Sequence, residues 1–233
     1  MLEGENVSVQ QKQRAFRKFH DHIKSDDNGT LRAKRKLILD RLKRNLPAPF
    51  NRFRHFNQGS YAMATGITPL KGREQDIDVG LILPIDMEKY NPVAVKKLIL
   101  QAAKPQTKRV IMRSPVVTVF YASGYHVDLA VYAQDTYKCL HLAVGRLQSN
   151  EEHTGWIQSE PKDFIKEVQR RFSGWERDQF RRTIRYLKRW KDLHFSQKGN
   201  AAPTGIALTV AAYHWFKPEP DNDLTAVPGK RDV

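Results

Sequence analysis

Asp76 and Asp78 stand two apart in Asp76-Ile77-Asp78-Val79-Gly80-Leu81-Ile82-Leu83, an apolar run that stops at Pro84. On a strand, period two sends both carboxylates to one face and Ile77 and Val79 to the other. Two like charges side by side need compensation. Water at a strand end or an arginine would supply it, and so would divalent ions, of which Mg²⁺ prefers oxygen ligands. A third acid, Asp128, lies in a second apolar run, Tyr125-His126-Val127-Asp128-Leu129-Ala130-Val131. Three acids on neighbouring strands can frame two ions about 3.5–4 Å apart, which clamp the attacking and leaving oxygens of a phosphoryl or nucleotidyl transfer. A salt bridge to one of the many arginines is the plainer reading of Asp128. His126, two before Asp128, falls on the same face by strand parity, where a surface or core histidine is the plain alternative.

Gly59-Ser60 follows a short strand-like stretch, Asn51 to Asn57, and opens a short helix at Tyr61-Ala62-Met63-Ala64. Glycine lets a phosphate approach the backbone, and helix amides with the serine hydroxyl then donate to it; alone, the pair reads as a turn. There is no G-x-x-x-x-G-K-[ST] and no G-x-G-x-x-G, which argues against a P-loop ATPase and a Rossmann dinucleotide site.

The elements that must position these residues read as helices, a mixed α/β core, then helices again. Residues 9–24 read as a helix with Phe16, Phe19 and Ile23 on one side. A turn cluster at Ser25 to Gly29 separates it from a second helix, Thr30 to Leu46, with Thr30 as a possible cap and Pro47 after its end. Pro92 to Lys104 reads as a helix and Arg109 to Met112 as a strand. Val116 to Tyr121 and Tyr125 to Tyr132 read as a hairpin around Ala122-Ser123-Gly124, and Cys139 to Val144 as a further strand. Helices are expected over Pro161 to Phe172, Glu176 to Phe195 and Thr204 to Phe216, and a loose tail over Lys217 to Val233. In the second of these helices Arg177, Arg181, Arg185 and Lys188 form a basic stripe beside an apolar one, which alone reads as a solvated face.

The chain has 233 residues, with 40 Lys plus Arg against 25 Asp plus Glu, a net charge of +15. Such a charge draws phosphates, whether of nucleic acid, nucleotides or an anionic membrane. The single Cys139 excludes an internal disulfide and a multi-cysteine zinc site. Met1 to Lys12 lacks the apolar core of a secretion signal, and the longest apolar run, Ile206 to Phe216, is too short to span a bilayer. The expectation is a cytoplasmic protein with no membrane partner.

The ordered set of Gly59-Ser60, Asp76-x-Asp78 and a later Asp128 resembles the DNA polymerase β-like nucleotidyltransferase superfamily. More narrowly, Gln58-Gly59-Ser60-Tyr61 with Gln75-Asp76-Ile77-Asp78-Val79-Gly80 is similar to the bacterial cyclic GMP–AMP synthase-like (CD-NTase) enzymes of antiphage CBASS systems, over about residues 9–216. The resemblance implies an α+β fold, with a polymerase β-like nucleotidyltransferase core (mixed sheet, flanking helices) over residues 1–160 and a helical lobe, shorter than in relatives, over 161–233. It implies synthesis of cyclic di- or oligonucleotide second messengers from ATP and other ribonucleoside triphosphates, with two Mg²⁺ ions (or Mn²⁺) as cofactors and a downstream effector protein that answers to the product.

By the same resemblance Gly59 and Ser60 would hold the donor triphosphate, with Gln58 supporting their loop. Asp76 and Asp78 would bind both metals, and Asp128 would bind one and help deprotonate the acceptor hydroxyl. Lys188, in Leu187-Lys188-Arg189-Trp190, and the Thr204 hydroxyl would reach the triphosphate, while Arg181 and Arg185 would steer nucleotide or acceptor. Thr204 read alone is an ordinary helix cap. Gly205 departs from the family by lacking the ring that stacks on a base, and relatives continue with further helices after the position of Thr225. One cysteine cannot build the zinc insertion of the animal DNA sensor. A linear-oligonucleotide, RNA or small-molecule nucleotidyltransferase stays open beside this reading, as does a non-catalytic nucleic-acid-binding protein on the same core, drawn to nucleic acid by its basic surface.

Overall fold

The computed structural model describes residues 8–25, 28–104, 107, 109–196 and 201–226. By contacts the described residues group into two units. One takes in the stretches Asp27–Ala62 and Lys71–Ile165; the other takes in Met1–Asp26, Met63–Leu70 and Lys166–Val233. The first helix, placed with the core by a linear division at residue 160, groups here with the C-terminal helices.

The first unit is built on one seven-stranded sheet: β1 (Arg54–Asn57), β2 (Gln75–Leu83), β3 (Arg109–Met112), β4 (Val117–Tyr121), β5 (Tyr125–Gln134), β6 (Leu140–Val144) and β7 (Gly155–Gln158). The order is β1-β2-β5-β4-β3, with β6 paired to the far end of β5 and β7 to β6. Only β2 and β5 run parallel; all other pairs are antiparallel. A parallel pair needs a long connection, and here α4 (Pro92–Ala103), β3 and β4 provide it. β7 has no counterpart in the sequence reading, because Gly155-Trp156-Ile157-Gln158 is too short for its alternation to stand out.

The two faces of β2 and β5 differ because their residues alternate. Ile77, Val79, Leu81 and Leu83 join Val127, Leu129, Val131 and Ala133 in the main core, with Ile38 and Leu42 of α2 (Asn28–Asn45) and Val95 and Ile99 of α4. α2 starts two residues before Thr30, so Thr30 sits inside its first turn rather than capping it. α4 begins as the sequence dictates, with Pro92 in its first turn and Asn91 Oδ1 accepting from the amides of Val93 and Ala94. The opposite face carries Asp76, Asp78 and Asp128 at one end, and a smaller apolar cluster of Ile82, Ala130, Tyr132 and Leu140 at the other.

Lys96 of α4 is fully buried, an unusual position for a cation. Its ammonium donates to the carbonyls of Arg113 (2.6 Å), Ser114 and Gly145 (2.7 Å), so one side chain ties the β3–β4 turn to the end of β6. Burial lowers its pKa to about 8, which keeps it charged at neutral pH. Lys96→Met should therefore cost about 3–5 kcal/mol in urea unfolding, since it removes three charged hydrogen bonds from a buried position.

In the second unit α1 (Val9–Ile23) packs on α6 (Gly174–His194), where Tyr186 meets Phe16 with ring centroids 4.9 Å apart. α5 (Pro161–Arg170) precedes α6, and α7 (Gly205–Trp215) packs on it, with Phe172, Phe180 and Phe216 in mutual ring contact. The expected loose tail is ordered through α8 (Asp223–Ala226). Asp223 is buried and accepts two hydrogen bonds from Arg182 (2.7 and 2.8 Å), one from Gln179 and one from the Tyr186 hydroxyl. That network gives the Pro- and Asp-rich stretch something to bury; residues 227–233 of the expected tail, and Asp26 and Asp27 of the expected turn, lie outside the described residues. Among the described residues no helix is long and apolar enough to cross a membrane.

Candidate active site

The three aspartates meet on one sheet face. Asp78 and Asp128 are direct partners in the β2–β5 register, and Asp76 is the partner of His126. Paired strands lie about 4.8 Å apart, so Asp78 and Asp128 are immediate neighbours. Asp76 is exposed at the strand end, whereas Asp78 and Asp128 are partly buried. Asp128 Oδ1 is buried and accepts no hydrogen bond among the described residues. Burial pushes the Asp128 carboxyl above the usual carboxylate range; Thr118, His126 and Arg113 pull it down, and Asp76 adds to the rise. Thr118 faces it from β4, directly opposite in register.

The Gly-Ser turn closes on the same carboxylates. β1 pairs with β2 so that Asn57 faces Val79, and the Gln58 amide donates to the Asp78 carbonyl at 2.9 Å. Gly59 then turns with φ +58° into α3 (Gly59–Ala62). A Cβ on Gly59 would lie 1.8 Å from Asp78 Oδ2, so the carboxylate occupies the space that glycine leaves open. The same device operates one step along: a Cβ on Gly80 would lie 2.3 Å from the Phe56 ring, which lets β1 lie flat on β2. Gln58 itself is turned onto the sheet, where its amide donates to the Tyr132 hydroxyl at 2.7 Å. Burial raises the Tyr132 phenol pKa; the Gln58 bond opposes this and the Asp78 charge adds to it. Gln58 thus fixes the strand exit from below.

A donor set of three carboxylates is the kind that holds Mg²⁺ or Mn²⁺. The orphaned Asp128 Oδ1 fits such a use, since a buried acceptor with nothing to accept is costly. Among the described residues no three His, Cys, Asp or Glu side chains are gathered into a preformed metal cluster. The three acids share a face and a register rather than a closed shell, as expected of like charges that repel until a cation draws them together.

Lys188 and Thr204 belong to the other unit and are described within it. Lys188 Nζ donates to the Thr65 carbonyl (3.0 Å) and hydroxyl (3.2 Å), and its Cε lies 3.7 Å from where a Cβ on Gly205 would be. Thr204 Oγ1 accepts from the Ala207 amide as the cap of α7, and the hydroxyl keeps its own proton to donate. The basic stripe of α6 is not a solvated face at Arg185 and Lys188, which are buried. Arg185 donates to the carbonyls of Ala64 (2.6 Å) and Gly66 (3.2 Å), and Arg189 donates to that of Thr68. Arg185 also faces His20 Nε2 at 3.0 Å, where the imidazole must accept, because a guanidinium only donates. Burial lowers the His20 pKa and the Arg185 charge lowers it further. Residues 64–68 follow α3 in the chain, so α6 holds the segment that connects the Gly-Ser turn to β2.

Comparison with known proteins agrees with this geometry. Residues 53–132 match the family described as cyclic GMP-AMP synthase DncV-like, nucleotidyltransferase domain. That stretch contains Gly59, Ser60, Asp76, Asp78 and Asp128; Lys188 and Thr204 lie beyond it. Among solved structures, the Bradyrhizobium diazoefficiens CD-NTase CdnG in complex with GTP is similar at TM-score 0.68 and 14% identity, over 90% of this chain and 70% of that one. The Vibrio cholerae DncV 3′-deoxy GTP bound form is similar at TM-score 0.58 and 20% identity, over 96% and 70%. The STING-associated CdnE c-di-GMP synthase of Capnocytophaga granulosa is similar at TM-score 0.59 and 14% identity, over 91% and 66%. The chain thus spans roughly two thirds of the length of these proteins and shares their mixed α+β fold. The stretch that carries the Gly-Ser turn and all three aspartates, residues 53–132, is thus similar to the nucleotidyltransferase domain of the cyclic GMP-AMP synthase DncV-like family.

Proposed function

We propose that the protein is a metal-dependent nucleotidyltransferase that builds cyclic di- or oligonucleotide second messengers from ribonucleoside triphosphates. The observation that carries this reading is the meeting of the Gly59 turn, the Asp78 carboxylate against it, and Asp128 in register beside Asp78. In the reaction, a ribose hydroxyl of the acceptor attacks the α-phosphorus of the donor and pyrophosphate leaves. Gly59 and Ser60 hold the donor triphosphate through their backbone amides and the serine hydroxyl, while the missing side chain at Gly59 makes room for the Asp78 carboxylate beside it. Asp76, Asp78 and Asp128 would hold two Mg²⁺ ions, which supply Lewis-acid stabilisation of the charge on the attacking and leaving oxygens. Asp128, in register beside Asp78, takes the hydroxyl proton. Gln58 keeps the turn in place through Tyr132.

The related structures include a GTP complex, a 3′-deoxy GTP bound form and a c-di-GMP synthase, which supports nucleoside triphosphates as substrates and a cyclic product here. Signalling to an effector protein in cytoplasmic antiphage defence is the setting that fits such a product. The test is release of pyrophosphate from labelled ribonucleoside triphosphates with Mg²⁺ or Mn²⁺. Turnover should stop with EDTA and return when the divalent ion is restored; turnover that ignores EDTA would contradict the metal role. The net charge of +15 favours a second reading, a nucleic-acid-binding protein on this core. Its binding would weaken steeply with salt and survive loss of all three aspartates.

A further inference from the structure

One row of side chains runs across the carboxylate face from Asp76, and beyond Asp76 it has no part in the reaction as written. The registers place Asp76 opposite His126, His126 opposite Phe120, and Phe120 opposite Arg109, so these four cross β2, β5, β4 and β3 on one face. The row is built rather than scattered. His126 lies against the Phe120 ring with centroids 5.6 Å apart, and the Arg109 guanidinium sits over the same ring at 4.4 Å. His126 Nδ1 is 3.4 Å from Glu74 Oε2, and the side chain stays 19% exposed. Arg109 is therefore folded back one strand toward the aspartates. Arg113, one residue past β3 and anchored there by Lys96, follows Arg109 by four and falls on the same face by strand parity. Both arginines are exposed, and neither is ion-paired to a carboxylate among the described residues.

In-line displacement fixes which reactant meets this row. The attacking hydroxyl and the leaving pyrophosphate lie on opposite sides of the α-phosphorus. The Gly59 turn sits on the β1 side of Asp78, and the sheet continues from β2 through β5 and β4 to β3. A triphosphate held at Gly59 leaves toward β1, so the hydroxyl must arrive over β5, β4 and β3. We propose that His126 and Arg109, braced on Phe120 and joined by Arg113, are contact residues for the acceptor nucleotide: Arg109 and Arg113 take its phosphates and His126 orders its sugar beside Asp128. This assignment rests on the nucleotidyltransferase reading and adds the acceptor's residues to it.

The test is equilibrium dialysis of the whole chain with Mg²⁺ and α,β-methylene analogues of the four nucleoside triphosphates, singly and in pairs. The wild type should bind two nucleotides per chain. Arg109→Gln and His126→Gln should each keep one site within about twofold and weaken the other about tenfold or more, the worth of a lost charged hydrogen bond. Arg109→Gln, at an exposed position, guards against loss of fold, and melting curves report on both variants. A single site in the wild type would overturn this assignment and leave the nucleotidyltransferase reading standing. Equal weakening of both sites by the variants, or no change in either, would also overturn it. No binding of any nucleotide would overturn both.

Discussion

Asp76→Asn with Asp78→Asn should abolish nucleotide turnover, by about a thousandfold or more, without loss of fold. The magnitude follows from the several kcal/mol that metal-bound charge stabilisation contributes to such reactions, at 1.36 kcal/mol per factor of ten. The fold is expected to hold because Asp76 is exposed and asparagine keeps the shape of both side chains. Two neighbouring negative charges disappear at the same time, so the melting temperature should stay level or rise slightly. Steady-state rates on the double variant, with a melting curve beside them, check both halves. A variant that retains more than a tenth of wild-type turnover would mean that these carboxylates do not hold the reacting centre.

Gly59→Ala should be almost as damaging for a different reason. Its backbone has φ +58°, which costs an alanine about 1–2 kcal/mol, and the new methyl would stand 1.8 Å from Asp78 Oδ2. Either the turn or the carboxylate must move by more than an ångström. Displacement on that scale at a reacting centre costs about a hundredfold in rate. Gly72→Ala separates the two effects. Gly72 has φ +83° with nothing within 4 Å of its added Cβ, so that variant should lose about 1 kcal/mol of stability and keep its turnover. If Gly59→Ala matches Gly72→Ala in rate, the Gly59 turn does not position Asp78.

The parts of the site that were legible beforehand are those carried by local pattern. The apolar, β-branched runs Asp76 to Leu83 and Tyr125 to Tyr132 identify both strands, and period two puts Asp76 and Asp78 on one face, as β2 and β5 bear out. Sheet order was not legible, because nothing local says that β2 and β5 are neighbours or that they are parallel. The row across His126, Phe120 and Arg109 exists only through that order, so three residues in separate segments gave no joint signal. The Gln58 bond to Tyr132 was hidden for the same reason. The basic stripe of α6 misled as a solvated face. Its Arg185 and Lys188 are spent on the carbonyls of residues 64–66, which a helix periodicity cannot foresee. Asp223 shows the converse, a polar tail residue buried because Arg182, Gln179 and Tyr186 converge on it from α6.

The most direct measurement is of product. The protein is incubated with all four labelled ribonucleoside triphosphates and Mg²⁺ or Mn²⁺, treated with phosphatase, and the products are resolved by chromatography and mass spectrometry. A cyclic nucleotide has no terminal phosphate to lose, so the predicted result is a phosphatase-resistant species of cyclic mass that vanishes in the Asp76→Asn, Asp78→Asn variant. A product fully degraded to nucleosides or linear fragments, or a resistant species that persists in that variant, would contradict the account.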